Sequence, residues 1–166
     1  MNSVKQTLIL GVGNVLLGDE GVGVHAIEYL NQISLPLHVS LVDGGTGGFH
    51  LLSYFEEYSS IILIDATMDD CADGTVRSLQ PKFASDFPKT LSAHDIGLRD
   101  LIETAALLST TPQIFLITVS ISSIQPMSME LSPAIHNALP NVATAVLNIL
   151  KNENHHSANA VYLEEN

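Results

Sequence analysis

The sequence predicts an α/β domain. A mostly parallel sheet of about five strands, one of them an antiparallel edge strand, carries helices on both faces. Three observations lead there. Charge-free apolar runs recur at residues 7–13 (TLILGVG), 60–64 (SIILI) and 113–119 (QIFLITV), as suits strands buried on both sides. Segments with apolar residues at helical spacing lie between them, and strands alternating with helices build parallel sheets. Hydrophobic residues make up 46% of the chain and charged residues only 14%, which excludes a disordered chain.

The elements follow in order. Residues 7–13 form the first strand. A helix spans residues 21–32, with Val22, Ala26, Tyr29 and Leu30 on one face. Residues 37–42 are rich in β-formers and stop at Asp43, and DGGTGG (residues 43–48) is a loop. A short helix covers residues 49–57. The strand at residues 60–64 stops at Asp65, and MDDCADG (68–74) is turn material. Residues 75–79 give an edge strand, and residues 81–92 read as loop. Leu98, Leu101, Ile102, Ala105 and Leu108 share one face of a helix over residues 96–109, with His94 and Asp95 just before it. After the strand at 113–119 comes a long loop holding Pro126 and Met127. Residues 133–151 are mostly helical, with a break or restart at Pro140. Residues 1–151 are thus expected to form a single domain, and residues 152–166 a frayed polar tail.

A chain of 166 residues buries roughly 70% of its extended-chain surface, enough for a sizeable core. No apolar run reaches the ~20 residues of a membrane span. MNSVKQT has no apolar h-region, and Cys71 is the single cysteine, so a cytoplasmic location is expected. Six Lys and Arg face 18 Asp and Glu, for a net charge of −12. Such a chain repels nucleic acid and anionic membranes and attracts metal cations or a basic polypeptide.

The chain is organised around LILGVGNVLLGDEGVG, residues 8–23. Here a buried strand leads through Gly11, Gly13 and Gly18 to the acid pair Asp19 and Glu20 at a helix start. Parallel strands deliver their carboxyl ends to one edge, where α/β proteins place ligands. Glu20, Asp43 and Asp65 are therefore expected to face one crevice, with His94 in reach. Two carboxylates about 5 Å apart repel by roughly 3 kcal/mol at an effective dielectric of ~20. Three such pairs approach ~10 kcal/mol, the stability of a whole domain. A cation, a proton or many hydrogen bonds must offset this. Carboxylates with one imidazole suit nickel or zinc better than calcium.

Each residue also has a plain structural reading. Asp19 and Asp43 can be helix-cap or turn residues, and His94 can be a structural histidine. His155 and His156 read as solvated. A dinucleotide site is disfavoured. Its third glycine is replaced by Leu16, and Asp19 and Glu20 put negative charge where a pyrophosphate would sit. No HExxH or GxSxG occurs, so neither a self-contained zinc protease nor a serine hydrolase is indicated.

Five blocks together resemble the hydrogenase maturation endopeptidases. They are LGVGNVLLGDEGVGV (10–24), VDGGTGG (42–48), the strand ending in Ile64, Asp65 and Ala66, SAHDIG (92–97) and the weaker IQPMSMELSP (124–133). The resemblance implies a twisted αβα sandwich. It also implies an endopeptidase that removes the C-terminal extension of the NiFe hydrogenase large-subunit precursor. Glu20, Asp65 and His94 would contact nickel carried by that substrate; Asp43, Glu20 and Asp65 are the expected catalytic acids, with Asp43 serving catalysis or shaping the cleft. No resident cofactor is implied, although cadmium or zinc would suit the same donors. The expected state is a monomer.

Overall fold

The computed structural model describes residues 6–82, 84–88, 96–107 and 111–163, with the side chains of 84, 96–100 and 154–163 left aside. Five strands form one sheet in the order β2-β1-β3-β5-β4. They are β1 (Thr7–Gly11), β2 (Val39–Asp43), β3 (Ser60–Thr67), β4 (Val76–Leu79) and β5 (Gln113–Ser120). The pairs β1–β2, β1–β3 and β3–β5 are parallel, and only β4 runs antiparallel at the edge. The expected α/β sheet with one antiparallel edge strand is what the chain forms.

The helices are α1 (Val22–Leu30), α2 (Leu52–Glu57), α3 (Ile96–Ala105), α4 (Pro133–His136) and α5 (Leu139–Leu163). Strand alternation sorts them into two layers. Ile9, Ile62, Ile64, Ile117 and Val119 pack under α1, α4 and α5. Leu8, Leu10, Ile61, Leu63 and Leu116 pack under α2 and α3 through Leu51, Phe55, Leu101 and Ile102. Both faces are therefore closed, and the central strands are buried along their whole length.

Two boundaries differ from the sequence reading. β3 does not stop at Asp65 but continues to Thr67, because β5 pairs with it as far as Ser120. Backbone pairing, not side-chain polarity, sets where a strand ends. The helix restarts at Pro140 as expected: α4 ends at His136 and Pro140 occupies the first turn of α5, where a proline needs no backbone N–H. That helix then runs past Lys151 to Leu163. Among the described residues no helix is long and apolar enough to cross a membrane.

The first turn of α1 lies directly against the end of β1 and the body of β3. A Cβ on Gly23 would stand 2.1 Å from the Val12 carbonyl oxygen and 2.4 Å from that of Ile64. Only glycine permits this approach. It brings the Gly18–Gly21 3-10 turn, and Glu20 within it, onto the sheet edge.

Candidate active site

The carboxyl edge of the parallel strands gathers the loops that carry the predicted acids. Glu20 lies in the 3-10 turn between β1 and α1 and is 1% exposed. Its carboxylate accepts a hydrogen bond from the Asn14 N–H. The chain can fold back this tightly because Gly13 has φ +149, and a Cβ there would stand 2.3 Å from the Glu20 carbonyl oxygen. Asp65, fully buried in β3, accepts from its neighbour Ala66 N–H at 2.8 Å.

Asp43 differs from both. It ends β2 and is exposed. Its Oδ1 accepts from Gly45 N–H at 2.8 Å, the Asx turn that aspartate makes beside glycine. The Gly45 carbonyl in turn accepts from Gly13 N–H at 2.7 Å. Asp43 thus shapes a loop that is tied to the loop bearing Glu20.

Register decides which acids can meet. Asp43 and Ile64 both pair with Gly11, so they share the face of α1 and α5. Asp65 is one residue further on and turns to the face of α2 and α3. All three acids lie at the carboxyl edge of the parallel strands, where register alternates the faces of Asp43 and Asp65. Among the described residues, no three His, Cys, Asp or Glu side chains are grouped to hold a metal ion. His94 lies outside the described residues.

Asp19 takes the structural role. It is 3% exposed. Its carboxylate accepts from Ser132 N–H at 2.7 Å and from Gln125 Nε2 at 3.2 Å, while its own N–H donates to Gln125 Oε1 at 2.8 Å. Sequence reasoning assigned Gln125 no part, although it stands in the weakest of the five family-like blocks.

Large exposed apolar side chains follow each parallel strand at this edge: Leu16 after β1, Phe49 after β2, Met68 after β3, and Met127 and Met129 after β5.

The family model described as HycI, hydrogenase maturation protease, matches residues 24–149. The chain belongs to the hydrogenase maturation protease family. The match holds Asp43, Asp65 and His94 and begins just after Glu20. The hydrogenase 2 maturation protease of Escherichia coli K12 is 32% identical over 148 residues, covering 87% of this chain and 90% of that protein. The solved E. coli endopeptidase HybD superposes with a TM-score of 0.81 at 32% identity, covering 89% and 93% of the two chains. The hydrogenase expression/formation protein HupD of Rhodobacter capsulatus is 35% identical over 129 residues, or 76% of this chain. The chain spans 60% of the length of that HupD and 65% of the one from Bradyrhizobium diazoefficiens.

Proposed function

We propose that this chain is an endopeptidase that removes the C-terminal extension of the nickel-loaded NiFe hydrogenase large-subunit precursor. The bound nickel is the mark by which it recognises a finished substrate. Two buried carboxylates at one sheet edge, Glu20 and Asp65, carry the reading. Each is already oriented by a backbone N–H. Oxygen donors with the imidazole of His94 suit the substrate's nickel. Exposed apolar side chains in the loops after the parallel strands, Leu16, Phe49 and Met68 among them, suit a polypeptide substrate, and the net charge of −12 favours a cationic mark.

The chemistry asked of the chain is peptide hydrolysis. A carboxylate accepts a proton from water as the water oxygen attacks the scissile carbonyl carbon, and the proton then passes to the leaving amine. Asp43 stands on the loop tied to the Glu20 loop and is the acid assigned to this proton transfer. Glu20 and Asp65 hold the cargo metal and so place the peptide. The enzyme is read as a cytoplasmic monomer without a resident cofactor; zinc or cadmium can take the nickel position on the same donors.

The test compares nickel-loaded with nickel-free precursor, following release of the tail by mass spectrometry. Cleavage of the loaded form alone is expected. Equal cleavage of both removes the metal gate, and nickel-dependent binding without cleavage makes the chain a chaperone instead.

A further inference from the structure

We infer that Thr118 is a positioning residue for the Asp65 carboxylate, an inference that rests on the role of Asp65 proposed above. The parallel register of β3 and β5 pairs Asp65 with Thr118 and Thr67 with Ser120. All four side chains are 0% exposed. They form a block of polar groups on the α2–α3 face of the sheet, and the next residues inward on that face are Leu63 and Leu116, both apolar. Partners in register on neighbouring strands stand about 4.8 Å apart and point the same way.

The Thr118 hydroxyl is buried without a hydrogen-bond partner. Burying a hydroxyl unpaired opposes folding, and a valine of the same shape would avoid that penalty. Such an orphan beside an active-site acid calls for a functional account. Its O–H rotates freely about the C–O bond. When the substrate's metal draws on Asp65, that donor is at hand to hold the carboxylate in one orientation. Thr118 does not touch substrate in this account; it acts through Asp65.

Thr118→Val and Thr118→Ser test this in the full chain against nickel-loaded precursor. Thr118→Val is expected to fold with a thermal midpoint equal to or above that of the parent. Its kcat is expected to fall about tenfold while KM stays within about twofold, the pattern of a contact made in the transition state. Thr118→Ser, which keeps the hydroxyl, is expected to recover most of kcat. A parent-like kcat in Thr118→Val, or a lowered thermal midpoint, overturns the inference while leaving the protease reading intact. A parent chain that cleaves no precursor removes both.

Discussion

The carboxylate of Asp19 is bonded to the backbone N–H of Ser132 at 2.7 Å, although 113 residues separate them in sequence. Gln125 adds two further bonds to the same residue. This contact fastens the long loop after β5 to the turn that carries Glu20. Asp19→Ala leaves buried polar groups without partners, at a cost of about 1–3 kcal/mol each. Chemical denaturation is expected to show a loss in that range with an unchanged m-value. Asp19→Asn retains one acceptor oxygen and should lose less.

The approach of α1 to the sheet gives a second expectation. Gly23→Ala would place a methyl 2.1 Å and 2.4 Å from two backbone oxygens, and backbone cannot rotate away as a side chain can. Overpacking typically costs about 1–3 kcal/mol and occasionally more, and a clash with fixed backbone puts this site at the upper end. The variant should unfold at markedly lower denaturant or fail to accumulate. Soluble protein with the parent's stability would show that the helix can shift without loss.

Met127 is a non-glycine residue in the left-handed region, at φ 62, and it is 94% exposed. An L-residue there costs roughly 1–2 kcal/mol of backbone strain. Met127→Gly relieves the strain while adding freedom to the unfolded chain. The net expectation is stability equal to the parent or up to about 1 kcal/mol higher. A clear loss in thermal denaturation would mean that the side chain packs.

Asp69 supplies the acid dependence. Burial raises its pKa, but the Cys71 N–H and the Arg77 guanidinium outweigh that and hold the carboxyl below its ordinary value. A lowered folded pKa stabilises the fold above the unfolded value near 3.9, and that contribution is lost as pH falls through the folded pKa. Asp69→Asn should therefore match the parent's pH dependence of stability above that range and show a shallower loss below it. Denaturation midpoints measured from pH 6 downward check this; an unchanged acid limb would assign the dependence to other carboxylates.

Most of the fold was legible because its central strands are buried on both faces and so read as unbroken apolar runs. Errors arose where polarity and backbone pairing disagree. Asp65 and Thr67 look like the end of a strand, yet β5 pairs with both. The polar residues after Lys151 look like a tail, yet the helix runs through them to Leu163. At the site, the carboxyl edge could be read from strand ends alone. Which face each acid takes could not, since a one-residue step in register reverses it. That step separates Asp43 from Asp65. The bonds from Asp19 to Gln125 and Ser132 join distant segments, and no local pattern announces them.

Asp43 has two roles to separate. Its Oδ1 holds the Gly45 N–H, and its charge is assigned to proton transfer. Asp43→Asn keeps an oxygen for the turn but loses the base. Turnover of nickel-loaded precursor is expected to fall about a hundredfold or more, with thermal stability within about 1 kcal/mol of the parent. Parent-like turnover would confine Asp43 to shaping its loop.

Glu20 offers the sharpest separation of fold from function. Its carboxylate is 1% exposed and accepts the Asn14 N–H. Glu20→Gln preserves shape and one acceptor oxygen, so the loop keeps its bond and stability should change by no more than about 1 kcal/mol. The amide carries no charge for a cation, so binding of nickel-loaded precursor should weaken and processing should stop. His94→Ala should do the same through loss of a nitrogen donor. Binding is read by titration with loaded and nickel-free precursor. A Glu20→Gln variant that still prefers the loaded form would remove Glu20 from the metal-sensing set, whatever its turnover.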